Sequence, residues 1–290
     1  MDVGFIGLGR MGLPMAGHIQ KQGVSGRLTL LDRFPERLAE LVAGGAELAG
    51  DAREVARNSD LVILMVPAIG DIDTLLEGPD GLLAGVERPL ILVVSSTTSA
   101  KDVRDLQARL NDRGAPVTVV DAPVSGGVEG AEGGSLSIMI GGPDAAAKPV
   151  VDVMSATGTA VHLGPLGAGQ VAKACNQLIV SATIMALGEA AVLADRSGLD
   201  LAKLFDLLAG GYAGSRILAT RGTRIVEQDY SPSGVAKYMV KDLNFATAVA
   251  ESTDTHAVLL PALKSAFEEL TAVGLGDNDI SVARRFIAER

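Results

Sequence analysis

A short apolar strand that runs into a glycine turn and then a helix opens the chain, and it restricts the fold more than any other feature. Val3-Gly4-Phe5-Ile6 reads as a buried strand, and Gly7-Leu8-Gly9-Arg10-Met11-Gly12 follows it. Met15 to Gln22 then continue as a helix that tolerates Pro14 in its first turn. Each glycine has a mechanical reason: Gly7 lets the chain turn sharply, Gly9 removes a side chain where a pyrophosphate would approach, and Gly12 lets helix and strand pack closely. The free amides of the helix N-terminus then face the phosphates. Glycine loops also serve as plain tight turns, so the surrounding pattern has to decide. A second strand, Arg27 to Leu31, ends at Asp32, about 20 residues beyond Gly12, where a dinucleotide fold places the acid that binds the adenine ribose hydroxyls. Asp32 could instead merely start the next helix before Pro35. Arg33 beside it offers a contact to the 2′-phosphate of NADP, which Asp32 would repel, so NAD is expected with NADP as the alternative.

Short apolar runs recur between helical segments at Leu61–Val66, Leu90–Val94 and Val117–Asp121, as strands covered on both faces require. The expectation is an α/β chain: a Rossmann-type, doubly wound, mostly parallel sheet at the N-terminus. Ligands of such sheets bind beyond the C-terminal strand ends. Val66-Pro67-Ala68, Ser95 to Ser99 and Asp121-Ala122-Pro123-Val124-Ser125-Gly126-Gly127 all lie there. The hydroxyls of 95–99 suit either a cofactor contact or a cap on the helix that begins near Lys101. Adjacent Gly126 and Gly127 expose backbone N–H groups that can bind a carboxylate, or they form a plain loop. Strands Leu136–Ile140 and Ala160–Leu163, flanking a helix from Pro143 to Ser155, complete a domain over residues 1–163.

From Gln170 to Arg196 the pattern reads as one long helix joining this domain to an all-α domain over 164–290. It carries no charge from Ala174 to Gly188, and its Asn176, Gln177, Ser181 and Thr183 mark it as a buried core helix rather than a membrane span. Lys173 stands just before this run, with Asn176 and Gln177 one turn on. Burial lowers a lysine's pKa towards neutrality, where it can take and give a proton, as hydride transfer to or from a nicotinamide requires at oxygen. Lys173 could otherwise snorkel at the surface. Beyond residue 197 short helices alternate with Gly210-Gly211, Gly214-Ser215 and Tyr230-Ser231-Pro232-Ser233-Gly234. Lys241-Asp242 in front of an apolar helix is either a solvated turn or a lysine reaching back to the crevice. Tyr212, Ser215 and Tyr230 are candidates for the far side of a pocket. His18, His162 and His256 fall in no motif, so neither a metal site nor a Ser-His-Asp triad is signalled.

With these pieces assembled, the chain closely resembles the β-hydroxyacid dehydrogenase family, which includes 3-hydroxyisobutyrate dehydrogenases and tartronate semialdehyde reductases. The resemblance runs nearly end to end. Gly4 to Ala16 is similar to the cofactor signature, Asp121 to Gly127 to the substrate motif, Gly167 to Asn176 to the catalytic segment, and Lys241-Asp242-Leu243 to the C-terminal cofactor motif. By that resemblance Lys173 is the general acid/base, Asn176 helps fix the substrate, and Ser125, Gly126 and Gly127 hold its acid group. Cofactor contacts are implied at Gly7, Leu8, Gly9, Arg10, Met11, Gly12, Asp32, Arg33, Val66, Pro67, Thr97 and Lys241. The helical half is implied to be of the 6-phosphogluconate dehydrogenase type and to associate into a homodimer or homotetramer. The hydroxyl loop departs from the family's form: an acid often stands two residues before its Ser-Thr pair and a proline three after the Thr, where this chain has Val94 and Ala100.

The leading expectation is hydride transfer between NAD(P) and a small 3-hydroxy acid or its semialdehyde. Tartronate semialdehyde or sulfonated aldehyde reduction, imine reduction, and a non-catalytic dehydrogenase-like binding module are the alternatives. Imine reductases share the architecture but differ where this chain has Lys173. A binding module has no reason to keep Lys173, Asn176 and Ser125-Gly126-Gly127 together. A net charge of −10 disfavours nucleic acid and anionic membrane as partners, leaving a small anionic substrate held locally. A single cysteine, Cys175, excludes an internal disulfide. With no basic leader ahead of Val3, and uncharged stretches that read as too short or too polar for a span, a cytoplasmic enzyme is expected.

Overall fold

The apolar runs pair edge to edge as a sheet, and the computed structural model describes all 290 residues. In chain order the elements are β1 (Val3–Ile6), α1 (Gly12–Gln22), β2 (Leu28–Leu31), α2 (Ala39–Ala43), β3 (Glu47–Leu48), α3 (Ala52–Arg57), β4 (Leu61–Leu64), α4 (Ile69–Leu76), β5 (Leu90–Val94), α5 (Ala100–Asp112) and β6 (Val117–Asp121). There follow β7 (Val124–Ser125), α6 (Gly127–Glu132), β8 (Leu136–Gly141), α7 (Asp144–Met154), β9 (Gly158–Gly164) and the long α8 (Ala168–Arg196). After it come α9 (Leu201–Ala209), α10 (Arg216–Glu227), α11 (Tyr238–Ser252), α12 (Leu260–Ala272) and α13 (Ala283–Ala288). The chain divides into two compact units, Met1–Lys173 and Ala174–Arg290, with the division inside α8.

In the first unit the strands run β3-β2-β1-β4-β5-β6-β8-β7, with β9 beside β8. β1 lies between β2 and β4, all parallel, with Val3 opposite both Leu28 and Leu61. The order therefore reverses at β1, which opens a crevice beyond the C-terminal strand ends. Alternate residues feed two apolar layers, as strand geometry dictates. Phe5 and Ile63 pack with Met15 and Ile19 on one face, and Ile6 and Leu64 pack with Val103 and Leu106 on the other. β8 runs antiparallel to β6 and β7, so the sheet is mixed at this edge.

α1 starts at Gly12, three residues before the expected periodic stretch, because Pro14 occupies a first-turn position whose N–H has no helical partner in any case. β2 begins one residue late, at Leu28. β3, β7 and α6 escape a periodicity reading because two to six residues hold too little of a period. By length and composition α8 could cross a membrane, contrary to the expectation that no stretch would. Half of its most apolar window is buried inside the protein, where Ile184, Met185, Leu187 and Ala191 pack in the second unit's core with Phe205, Leu243, Phe267 and Phe286.

The second unit is helical, with one isolated bridge between Val235 and Asp279. Asp279 is fully buried. Its carboxylate accepts the N–H groups of Gly234 at 2.8 Å and Ser281 at 3.0 Å, and lies 3.4 Å from both Arg221 and Arg224 of α10. It thereby ties the 230–237 segment leading into α11 to α10.

Candidate active site

The glycine turn has the form a dinucleotide requires. Gly7 has φ +91°, and a Cβ there would stand 2.4 Å from the Met65 carbonyl. A Cβ on Gly12 would stand 2.1 Å from the Gly7 carbonyl and 3.0 Å from the Phe5 ring, so the close approach of helix and strand depends on its absence. A Cβ on Gly9 would meet nothing within 4 Å, leaving open space over the turn where a pyrophosphate could enter. No side chain caps α1 and no acid stands in its first turn; Leu13 N–H is taken by the Gly9 carbonyl at 3.0 Å and Pro14 has none, which leaves the Gly12 N–H at the helix start for an anion. Arg10 is exposed, and Met11 packs partly on the core. Asp32 closes the site from β2: one carboxylate oxygen accepts Leu8 N–H at 2.7 Å and the other accepts Phe34 N–H at 2.8 Å. Each oxygen keeps a lone pair for a ribose hydroxyl. Arg33 is exposed and stands 3.6 Å from Asp71.

The other strand ends are stitched to one another and to the start of α8. Val66 N–H donates to Ser96 Oγ at 3.2 Å, while Pro67 is exposed. Within the hydroxyl loop the members divide their work. Ser99 caps α5 in a reciprocal box with Asp102, Thr98 Oγ1 donates to Asp102 at 2.8 Å, and Thr97 is half-buried. Gln170 of α8 spans this loop: its Nε2 donates to the Ser96 carbonyl at 2.9 Å, and its Oε1 accepts Thr98 N–H at 3.1 Å. At the end of β6, the buried Asp121 accepts Gly167 N–H at 2.6 Å and Gln170 N–H at 2.7 Å. Burial pushes the Asp121 carboxyl up to about 6, against the lowering effect of the Gly167 and Gln170 N–H groups and of Arg104.

Lys173 follows Gln170 by one turn and is only 8% exposed. Ser125 is paired with Ser137 across β7 and β8. Gly126 and Gly127 are exposed, with φ +137° and +66°, and they begin α6 instead of forming an open loop. Glycine at both positions admits these backbone angles, and a backbone turn at a helix start is an arrangement suited to an anion.

In the second unit, Asn176 Nδ2 donates to Gln177 Oε1 at 2.8 Å, and Gln177 Nε2 donates to the buried Asp242 at 2.5 Å. This network joins α8 to the first turn of α11. Lys241 stands 3.9 Å from Asp242 and over the Phe245 ring at 5.6 Å, and its side chain is nearly half exposed. Of the pocket candidates there, Ser215 caps α10, Tyr212 is fully exposed, and the Tyr230 hydroxyl is buried. Sequence reasoning gave no role to Gln170, Asp121 or Asp242. The signal for the first two was present in their places beside Lys173 and at a strand end, but their partners are distant in the chain.

Residues 2–165 match the family described as the NAD binding domain of 6-phosphogluconate dehydrogenase. Residues 167–287 match that described as NAD-binding of NADP-dependent 3-hydroxyisobutyrate dehydrogenase. A probable 3-hydroxyisobutyrate dehydrogenase-like mitochondrial protein of Arabidopsis thaliana is 36% identical over 86% of this chain and 77% of its own length. The 2-hydroxy-3-oxopropionate reductase of Escherichia coli is 34% identical over 87% of this chain and 85% of its own. The chain belongs to the β-hydroxyacid dehydrogenase family. An NAD-dependent L-serine dehydrogenase of Pseudomonas aeruginosa is similar over nearly the whole length, 32% identical across 98% of this chain and 97% of its own. The crystal structure of a 3-hydroxyisobutyrate dehydrogenase from Salmonella typhimurium superposes with a TM-score of 0.86 at 28% identity, covering 98% of this chain and 99% of that one.

As a β-hydroxyacid dehydrogenase the chain uses NAD(P) and acts on small substrates. Its own residues fit that cofactor: the open space over Gly9, the uncapped start of α1 and the braced Asp32 carboxylate each provide a surface that a dinucleotide needs.

Proposed function

We propose that this β-hydroxyacid dehydrogenase oxidises a small 3-hydroxy acid of the 3-hydroxyisobutyrate kind to its semialdehyde, or runs the reverse reduction, with NAD preferred and Lys173 as general acid/base. The observation that carries this reading is a lysine buried to 8% exposure, one turn into a helix whose first turn is bonded to the ends of β5 and β6. A lysine so placed is not a solvated surface charge.

NAD(P), when bound, supplies the nicotinamide carbon that accepts or returns a hydride. The protein's residues do the rest. The N–H groups at Ser125-Gly126-Gly127 hold the substrate carboxylate and so fix which carbon is offered for reaction. The Lys173 amine takes the hydroxyl proton as the alcohol becomes a carbonyl, and its ammonium returns a proton to oxygen in the reduction. Asn176 and Lys241 take the roles the family resemblance assigns them, in fixing the substrate and in approaching the nicotinamide.

The preference for NAD rests on Asp32, whose carboxylate is held by two backbone N–H groups and cannot easily swing away from a 2′-phosphate. Asp32→Ala is expected to narrow the NAD-to-NADP ratio of kcat/KM by about tenfold, on the order of one charge repulsion near the surface. Equal or better kinetics with NADP in the unmutated enzyme would overturn the preference.

The relatives that act on 3-hydroxyisobutyrate, L-serine and 2-hydroxy-3-oxopropionate share an acid group and an oxygen on the carbon two positions away. The substrate test is therefore the rate of NADH formation with 3-hydroxyisobutyrate, L-serine, D-glycerate and 4-hydroxybutyrate, repeated with NADP. The strongest turnover is expected on a three-carbon-backbone acid; silence on all of them with NAD still binding would count against the proposal. We place the enzyme in the cytoplasm as a homodimer or homotetramer. Exposed Ile179, Leu193, Leu207 and Leu259 on the second unit offer apolar surface for association. Light scattering that gave a monomer mass at micromolar concentration would remove the oligomer.

A further inference from the structure

We propose that Asp121 is a positioning residue of the reaction, clasping the first turn of α8 so that Lys173 is presented at a fixed place beyond the ends of β5 and β6. This rests on the reading of Lys173 as the acid/base. The four helical N–H groups at a helix start lack partners within the helix. A carboxylate from another element of the fold, Asp121 on β6, takes two N–H groups at the start of α8, those of Gly167 and Gln170. Gln170 then anchors the same turn sideways, to the Ser96 carbonyl and the Thr98 N–H beyond β5. Lys173 is the next residue on that side of the helix one turn later.

The surroundings are built around this carboxylate. A Cβ on Gly141 of β8 would stand 2.5 Å from one of its oxygens, and a Cβ on Gly169 of α8 would stand 2.8 Å from the other. Glycine at both positions is what admits the carboxylate between strand and helix. The ionised form is retained against burial, which raises the Asp121 carboxyl to about 6. A carboxyl raised in the fold above its ordinary 3.8 makes a stability contribution that is lost as pH rises through about 6. The ionised clamp thus holds the geometry of one turn at some expense to the fold.

The charged groups around Asp121 are few. α5 carries Arg104, which bears on it directly and donates to the Leu166 carbonyl at 3.0 Å, and Asp102, engaged by Thr98 and Ser99. α8 carries Lys173, and β9 carries His162, bonded to the carbonyls of Gly142 and Gly164. Asp144, Lys148 and Asp152 of α7 are exposed, and β5 and β8 hold no ionisable side chain.

The experiment compares the whole enzyme with Asp121→Asn, Gln170→Ala and Lys173→Ala, measuring kcat, KM and the affinity for NADH by fluorescence, and the wild-type and Asp121→Asn rates from pH 5 to 8. Asn can offer an oxygen to only one of the two N–H groups and sets its amide against the other. Asp121→Asn is expected to lower kcat by about 30-fold or more with NADH affinity within threefold, and Gln170→Ala to lower kcat less, by about three- to tenfold. Wild-type kcat is expected to fall as pH drops through about 6, with that limb missing in Asp121→Asn. If Asp121→Asn does not fold, amide exchange in the wild-type protein decides: protection of Gly167 and Gln170 must weaken on acidification through the same range. Unchanged protection would overturn the proposal, as would kcat within threefold of wild type in Asp121→Asn beside an inactive Lys173→Ala. Near-normal turnover by Lys173→Ala would instead remove the lysine reading itself, and this proposal with it.

Discussion

Lys173→Ala is expected to reduce turnover by about 10²- to 10⁴-fold while NADH still binds, because in the proposed mechanism the hydroxyl proton loses its acceptor while the glycine turn proposed to hold the dinucleotide is untouched. That corresponds to about 3–5 kcal/mol of transition-state stabilisation. The glycine turn, Asp32 and the Ser96 contact to Val66 do not involve the lysine, so cofactor affinity is expected within a few-fold of wild type. Truncation also empties a buried volume, since Lys173 is 8% exposed. Lys173→Met keeps most of the aliphatic stem and separates packing from proton transfer. Equal losses in both variants, with partial recovery of the alanine variant by added methylamine, would place the effect at the ammonium group. A near-normal kcat in either variant would take the lysine out of the mechanism.

Asp279→Ala is expected to destabilise the second unit by about 3–5 kcal/mol, as removal of one partner from a buried ion cluster does. The loss leaves Arg221 and Arg224 without the carboxylate between them and the N–H groups of Gly234 and Ser281 without an acceptor. At about 2–4 °C per kcal/mol for a chain of this size, the melting temperature is expected to fall on the order of 10 °C. Calorimetry on the variant checks this, and a fall of less than about 2 °C would mean that water or rearrangement replaces the cluster. The expected loss exceeds that of exposed pairs such as Lys148–Asp152, which contribute about 0–1 kcal/mol because solvent screens them. The segment that Asp279 holds leads into α11, so Lys241 and Asp242 depend on it for their place in the second unit.

The parts of this protein that could be read before its structure are those in which chemistry demands particular residue types at short spacing. Gly7, Gly9 and Gly12 follow one strand and start one helix, and their roles as sharp turn, open approach and close packing are set within six residues. Asp32 was placed by its distance from that turn, and its carboxylate does meet the turn, at Leu8. The apolar runs announced a covered sheet because strands buried on both faces cannot alternate with polar residues. The burial of Lys173 was legible because the run after it carries no charge.

Elements of two to six residues, β3, β7 and α6, were not legible, since they are stabilised by neighbours rather than by their own period. The hydroxyl loop showed that its residues would bond backbone, but not which: Ser99 caps, Ser96 braces Val66, and Thr98 meets both Asp102 and Gln170. By itself the sequence determined the fold class, the family, and the location of the glycine turn and of a buried lysine, since local patterns carry these. Only the tertiary structure decided what holds that lysine's helix in place. Asp121 meets Gly167 and Gln170 across 46 and 49 residues, and Gln170 meets Ser96 across 74. A hydrogen bond of that separation leaves no spacing in the chain, because its partners are brought together by the sheet's crossovers and not by the geometry of any one element.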